Sequence, residues 1–353
     1  MVRSSSLVLV TILALACGGD ATPAPVPPVA SSAPAASSSA PVASSAPAAS
    51  SSSPVAAPNP KPLAVTQLET LRAASDAINE HDAKKYAALF TRTAIHKEAA
   101  TRDLVGRDEI ARRMSLLFGA FPDFNFAFER VWQKGDVTIA TWHWSGTDRG
   151  GGFMGKAPSR RRGGISGVTV GFFNIDGLLR EVHVYEDGQT VLSQLDAAAK
   201  AGTFRLPADP TPGTFTVNPS GPDEDANTQV VKALYYALEA KKDVATFADD
   251  ATVDDFALPP RPAKGGAAWK SLVKSWTGNF GAFTELPLYD LVAVGDTVVV
   301  ERVLKGSVAP GASVQLHACD VIQLKGGKIT SFGSYSNTLE LVSQVGTKGV
   351  RRP

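Results

Sequence analysis

Four side chains that can transfer protons occupy every second position in one short stretch: Glu181, His183, Tyr185 and Asp187. Apolar and polar residues alternate here, which predicts a β-strand. Since successive strand side chains point to opposite faces, the four are expected to share one face. The opposite face is expected to carry Arg180, Val182, Val184 and Glu186. Two carboxylates, an imidazole and a phenol in one row could act as general acids and bases.

The chain contains an altered second copy of this stretch. Y-E-D-G-Q-T-V-L-S-Q from Tyr185 aligns with Y-S-N-T-L-E-L-V-S-Q from Tyr335. In this register the positions of the other three polar residues hold Ser331, Gly333 and Asn337. Asparagine cannot take up or release the proton, so any acid–base chemistry is expected in the first copy only.

The elements around each copy follow the same order, which indicates a duplicated domain. In the first copy, helical spacing predicts helices near residues 68–78, 83–90 and 108–119, and four strand-like runs follow at 124–133, 137–145, 165–175 and 178–187. In the second copy, two helical stripes precede strand-like runs at 286–294, 297–306, 314–324 and 329–337. Helices followed by an antiparallel meander predict an α+β fold in two tandem domains, residues 63–198 and 226–347, joined by a Pro/Gly/Asp-rich linker at 199–225, with a tail at 348–353.

Composition excludes several classes of function. Lys and Arg total 35 against 34 Asp and Glu, so no net field favours nucleic acid. Only two cysteines are present, Cys17 and Cys319, and no Cys/His cluster has metal-ligand spacing. The sequence therefore predicts no metal site and no nucleic-acid partner; that no cofactor is needed is implied by the family resemblance described below.

The N-terminus has the features of an exported lipoprotein. Arg3 precedes an apolar run at 7–16, and L-A-L-A-C resembles a bacterial lipobox ending at Cys17. The resemblance implies that residues 1–17 are a signal peptide and that Cys17 is lipidated. Residues 18–62 are an Ala/Ser/Pro tether that cannot form a core. The expected location is the cell envelope, as an outer-membrane lipoprotein; the alternative is an ordinary cleaved signal with a chance cysteine.

Residues 68–195 resemble the SnoaL-like polyketide cyclases of the nuclear-transport-factor-like fold. The resemblance is carried by G-R-D-E-I at Gly106, A-F-P-D-F at Ala120, W-H-W-S-G-T-D-R-G at Trp142, F-M-G-K-A-P at Phe153, and the final Y-E-D…Q-L. It implies two cone-like domains, each with helices and a curved antiparallel sheet around a pocket. Members include cyclases that need no metal or cofactor.

The same resemblance suggests site residues. Asp187 matches the aspartate that serves the cyclases as general acid and base, with His183 beside it. Asp187 could instead cap the turn at Gly188, and His183 could have no catalytic role. Residues expected to contact a ligand are Tyr185, Trp142, Trp144, Tyr335 and Asn337. His96 and Glu98 could also share one face and are interpreted as structural.

Three functions remain open. The first is a binding protein for a small apolar or polyketide-like molecule, held at the membrane by a lipid anchor. The second is a cofactor-independent cyclase or isomerase that uses Asp187. The third is an interaction module of the envelope, in which the two domains form an intramolecular pseudo-dimer.

Overall fold

The computed structural model describes residues 62–198, 205–211, 215–240, 242, 246–258, 263–280, 283–285, 288–309 and 312–345. The expected signal peptide, lipidation site Cys17, nearly all of the tether, the C-terminal tail and part of the 199–225 linker lie outside these residues. Within the described ranges, none of the helices combines the length and apolar character that crossing a membrane requires.

The first domain contains four α-helices and six strands, followed by a strand from the linker. Its elements are α1 (Leu63–Asn79), α2 (Ala83–Ala88), β1 (Phe90–Glu98), β2 (Leu104–Val105), α3 (Arg107–Ala120), β3 (Asn125–Lys134), β4 (Val137–Thr147), β5 (Arg162–Phe173), β6 (Leu179–Tyr185), α4 (Gly188–Leu195) and β7 (Thr216–Asn218). The three predicted helices and four predicted strands are present. The linker is partly ordered as β7, which pairs with β3.

Local sequence explains the helix boundaries. The Asp82 carboxylate accepts a hydrogen bond from the Lys85 amide at 2.8 Å and caps α2. Gly106 precedes α3 with a φ of 83°, a left-handed conformation that glycine adopts without steric cost. A side chain there would also approach the Arg92 carbonyl oxygen to 3.1 Å.

The sheet of the first domain has the order β2-β1-β6-β5-β4-β3-β7. Strands β3 to β6 form the predicted antiparallel meander, but β1 pairs with β6 in parallel, so the sheet is mixed. Strand β1 is absent from the elements predicted from the sequence pattern. This pairing places His96 opposite Val182 and Glu98 opposite Val184.

The second domain repeats this plan. Its elements are α5 (Glu224–Glu239), β8 (Phe247–Asp255), α6 (Gly265–Phe280), β9 (Phe283–Glu285), β10 (Leu288–Val294), β11 (Thr297–Ala309), β12 (Ala312–Lys325), β13 (Lys328–Ser336) and α7 (Leu339–Val345). Its six-stranded sheet runs β10-β11-β12-β13-β8, with β9 paired to β11, and β8 is again parallel to β13. The α+β prediction of two tandem cone-like domains is confirmed.

One hydrogen bond shows how closely the copies correspond. The Gln67 amide of α1 donates to the Gly135 carbonyl at 3.0 Å, and the Asn227 amide of α5 donates to the Gly295 carbonyl at 3.1 Å. Both glycines start a two-residue β-turn with φ near 60° (60° and 59°). In each domain a buried amide therefore ties the first helix to the same hairpin.

The outer faces of the two sheets contact each other through a shared apolar cluster. Its buried members are Trp132, Ile139, Val168, Val170, Tyr185, Val294, Val299, Cys319, Val321 and Tyr335. Cys319 is fully buried in this layer, where desolvation raises the pKa of its thiol well above the usual value. A separate cluster fills the cone of each domain, so each sheet is covered on both faces.

Candidate functional site

Alternate residues of β6, and Glu186 directly after it, face two different environments. Val182, Val184 and Glu186 line a cavity in the first domain. His183 and Tyr185 lie on the opposite face and contact Glu301 of the second domain. The predicted proton-transfer row therefore faces the neighbouring sheet, and the residues expected on the back of the strand face the cavity.

The cavity has a volume of about 110 Å³ and lies between α1, α3 and the concave face of the sheet. Its walls are mostly aromatic and aliphatic: Leu71, Ile78, Tyr86, Met114, Leu117, Phe124, Phe126, Phe128, Trp142, Trp144, Val182 and Val184. The expectation that Trp142 and Trp144 share one face is confirmed, and both line the cavity. The Trp142 indole N–H donates to the Thr169 hydroxyl at 2.8 Å, which holds its ring against the wall.

A small polar group lies among these apolar walls. Trp144 donates its indole N–H to Glu186 Oε2 at 3.2 Å. Arg113 of α3 binds Glu98 of β1, with Nη2 2.9 Å from Oε1 and 3.1 Å from Oε2. Both acids and Arg113 line the cavity, together with His96.

Desolvation changes how these groups ionise. Burial raises the pKa of Glu186 to about 7; the neighbouring Glu98 acts in the same direction, whereas Arg113 and the Trp144 hydrogen bond oppose it. Glu98 forms an ion pair with Arg113, and the raised pKa of Glu186 allows its carboxyl group to exchange a proton near neutral pH. This combination of a dry wall and a nearby charged pair is typical of a general acid or base.

His96 adds a polar atom without a partner. The residue is 7% exposed, and its Nδ1 makes no hydrogen bond within the described residues. Burial lowers the pKa of this imidazole, so it is neutral at neutral pH. A buried polar atom without a partner carries a free-energy cost that a bound ligand could relieve.

Asp187, the residue expected to act on substrate, does not line this cavity. It is the N-cap of α4: Oδ2 accepts from the Thr190 amide at 3.0 Å and from its hydroxyl at 2.6 Å. Oδ1 accepts from the Thr338 amide at 2.8 Å and its hydroxyl at 2.7 Å. Asp187 follows Glu186, so it shares the outward face of His183 and Tyr185, and Glu186 takes the cavity position. The catalytic role of Asp187 stays a prediction. The cap alternative agrees with this geometry.

The remaining expected ligand contacts lie between the domains. Tyr185 donates to Glu301 Oε1 at 2.6 Å, and His183 Nδ1 lies 2.7 Å from the same oxygen. Tyr335 stacks on Phe256 with ring centroids 4.3 Å apart, and Asn337 donates to the Ala99 carbonyl at 2.8 Å. None of the four predicted residues Tyr185, His183, Tyr335 and Asn337 lines the cavity of the first domain.

The equivalent interior of the second domain holds a buried ion pair. Arg302 occupies the position of Trp142, five residues after the start of the corresponding strand, and is 2% exposed. Its Nε lies 2.5 Å from Asp320 Oδ2, and Tyr235 donates to the same oxygen. Asp255, at the position of Glu98, accepts from the Trp276 indole at 2.7 Å.

Glu186 is not among the site residues predicted from the sequence, and His96 and Glu98 are predicted there to be structural. The available signal was the Y-E-D triplet itself, which places a carboxylate on each side of the strand. Among the described residues, no group of three or more His, Cys, Asp or Glu side chains is arranged to hold a metal ion.

A family model described as SnoaL-like polyketide cyclase matches residues 68–195, and a model of SnoaL-like domains matches residues 231–332. The chain contains two SnoaL-like domains in tandem. The resemblance read from the first copy is thus confirmed, and the second SnoaL-like domain has its own match. A search of curated proteins finds no match to the chain.

Solved structures similar to this SnoaL-like protein each correspond to one domain. A candidate SnoaL-like polyketide cyclase from Jannaschia sp. CCS1 is 20% identical with a TM-score of 0.36, covering 40% of this chain and 99% of that one. IdmH, a candidate polyketide cyclase from Streptomyces antibioticus, is 21% identical with a TM-score of 0.32, covering 36% of this chain and 97% of its own. TsrD from Streptomyces laurentii is 19% identical with a TM-score of 0.34, covering 38% and 96%.

Proposed function

We propose that the first SnoaL-like domain binds a small, largely apolar molecule in its cavity. The supporting observation is a cavity walled by aromatic and aliphatic side chains, with a few polar groups gathered at Glu186. Such a lining favours an apolar body that carries one or two polar atoms. The family description makes a polyketide-like compound the first class to test.

The binding proposal can be tested on the full chain by native mass spectrometry of protein purified from its own envelope. A co-purifying small molecule should be retained by the wild type and lost from a cavity-filling variant, Ala140→Phe. Ala157→Phe, on the hairpin between β4 and β5 and outside the cavity lining, is the matched control and should retain the molecule. If Ala140→Phe folds and keeps the molecule, the cavity is not the binding site.

Proton transfer to the bound molecule is a second function, and the Glu186 geometry specifically favours it. The carboxyl touches Trp144 at the cavity wall and titrates near neutral pH. It could accept a proton from an acidic C–H and return it at another atom, as in isomerisation or cyclisation. Deuterium exchange into the bound molecule would report this step, and Glu186→Gln should abolish it while leaving the molecule bound.

Export and lipid anchoring at Cys17 also belong to the proposal. The apolar run and the L-A-L-A-C motif support outer-membrane attachment of the folded part through the tether. Cys17→Ser should move the protein from the membrane fraction to the soluble periplasmic fraction. Retention of the Cys17→Ser protein on outer membranes would contradict the anchor.

The two domains are proposed to act as one intramolecular pseudo-dimer. The apolar layer between the sheets and the bonds from Thr338 to Asp187 support this arrangement. Chemical crosslinking of surface lysines in dilute solution, mapped by mass spectrometry, should join the two domains within single chains. Absence of such crosslinks would contradict the pseudo-dimer.

A further inference from the structure

A second, more polar cavity lies where the two domains meet, and Glu98 and Val184 line both cavities. This groove has a volume of about 570 Å³. The first domain contributes the end of β1, the segment after it, and the outer face of β6; the second contributes β10, β11, β12 and α7. Neither domain alone would form it.

The charges that face the groove do not balance. Its acids are Glu98, Asp103, Asp290, Glu301 and Glu340, of which Glu98 is paired with Arg113. Each cation that lines it already contacts a carboxylate: Lys97 binds Glu181 at 2.5 Å, His183 lies between Glu181 and Glu301, and His317 Nδ1 lies 2.5 Å from Glu340. Asp103 and Asp290 are exposed and form no ion pair with the described residues. The groove is therefore net negative.

Glu301 is the buried anchor in this surface. Its side chain is 7% exposed. Both donors that reach it, the Tyr185 hydroxyl and His183 Nδ1, converge on Oε1. Oε2 accepts no hydrogen bond within the described residues, although a carboxylate oxygen can accept two. Since Glu301 lines the groove, Oε2 can accept a hydrogen bond from a ligand there.

The other walls define the rest of the ligand. Phe172 and Val184 offer an apolar surface beside Glu301, and the small side chains of Ala99 and Ala100 leave room next to it. An occupant that fits must carry an N–H donor with positive charge at one end and an apolar body at the other. A quaternary ammonium would supply the charge without the donor.

We propose that the interdomain groove binds a protonated primary amine carried on a small apolar body, with the ammonium group donating to Glu301 Oε2. The experiment is calorimetric titration of the full chain with phenethylamine, compared with its neutral isostere 2-phenylethanol. Since a hydrogen bond to a charged group contributes about 1.5–3 kcal/mol, the amine should bind at least ~10-fold more tightly than the alcohol.

Three variants test the assignment. Glu301→Gln preserves the shape and an acceptor for Tyr185, and it should weaken amine binding by at least ~10-fold. Asp290→Asn removes an exposed charge at the rim and should weaken binding by only about twofold. Asp250→Asn, an exposed acid on β8 outside the groove, is the matched control and should bind as the wild type does. The thermal midpoint of each variant reports whether it is folded.

Several results would overturn the proposal. Equal affinity for the amine and the alcohol would show that the positive charge is not recognised. Absence of amine binding at millimolar concentration would show that the groove is not an amine-binding site. If Glu301→Gln is folded and retains affinity while Glu186→Gln loses it, the amine occupies the cavity of the first domain instead. The two proposals are thus separable, because each carboxyl lies in a different cavity.

Discussion

The interiors of the two domains differ at a few equivalent strand positions. Trp142 of the first domain lies over Gly167, and a Cβ placed on that glycine would approach the indole Cη2 and Cζ2 to 2.3 Å. In the second domain the corresponding cross-strand pair is Arg302 and Ala318. The methyl group of alanine occupies the space that a flat indole would need. The first domain thus combines glycine with an aromatic cavity wall, and the second combines alanine with a buried ion pair.

The same comparison applies to the ends of the last strands. Asp187 of the first domain accepts four hydrogen bonds, two of them from Thr338 in the second domain. Its equivalent, Asn337, donates its side-chain amide to the Ala99 carbonyl at 2.8 Å. A carboxylate could not donate this bond, so the asparagine in the second copy has a structural explanation.

The largest expected effect comes from breaking the ion pair that distinguishes the second interior. Arg302→Met leaves Asp320 buried without its cation, which should reduce the free energy of unfolding by about 3–5 kcal/mol in denaturant titrations. Combining it with Asp320→Asn removes the stranded charge and should recover much of the loss. A cost below about 1 kcal/mol for the single variant would show that the pair does not hold this core.

Gly167→Ala tests whether the missing methyl group keeps the cavity open. The added Cβ must push Trp142 from its place, so we expect a cost of about 1–3 kcal/mol, a changed tryptophan emission spectrum and loss of the cavity ligand. Gly151→Ala is the matched control, because a Cβ there meets no atom within 4 Å. Unchanged emission from the Gly167→Ala protein would contradict this account of the wall.

Asp187→Asn makes the first domain resemble the second at the strand end. Asparagine has one acceptor oxygen, so it can accept from Thr190 or from Thr338 but presents its NH2 group to the other. The free energy of unfolding should therefore fall by about 1–2 kcal/mol. Binding in the cavity should be unchanged, because Asp187 does not line it. If this variant loses turnover and remains as stable as the wild type, Asp187 has the catalytic role that the family resemblance suggests.

The pH dependence of the first domain should be the smallest of these effects. Folding raises the pKa of Glu186 to about 7, above its value near 4.5 in the unfolded chain. The folded state therefore holds more protons between these values, so this contribution to stability is complete below about pH 4.5 and is lost as the pH rises through about 7. An apolar ligand should likewise bind more weakly above pH 7.

Glu186→Gln should remove that pH dependence of binding, measured by tryptophan fluorescence from pH 5 to 8.5. The His183 pKa is also raised: burial opposes the shift, but the bonds to Glu301 and Glu181 outweigh it. The contribution of His183 to the free energy of unfolding should likewise fall as the pH rises. This pH dependence of stability should persist in the Glu186→Gln variant. A binding curve that stays pH-dependent in Glu186→Gln would assign the titration to another group.

Much of the fold was predictable because it depends on local signals. Period-two alternation gave the meander strands, Gly135 and Gly295 gave the hairpins, and helical stripes gave α1 and α3. The parallel strand β1 was missed, since F-T-R-T-A-I-H-K-E has no clear alternation and its pairing with β6 spans more than 80 residues. Pairing over that separation depends on the assembled core, which no short window contains.

The candidate site shows the same division. The sequence by itself determined that two copies exist, that the second lacks the acid at Asn337, and that Trp142 and Trp144 share a face. It could not decide which face of β6 would meet the cavity and which would meet the other sheet, because both faces mix polar and apolar residues. Only the packing of α1 and α3 on one side, and of the second domain on the other, made Glu186 a cavity residue and left Asp187 to cap α4. The physical reason is that alternation defines two faces, while burial against a particular neighbour gives each face its chemistry.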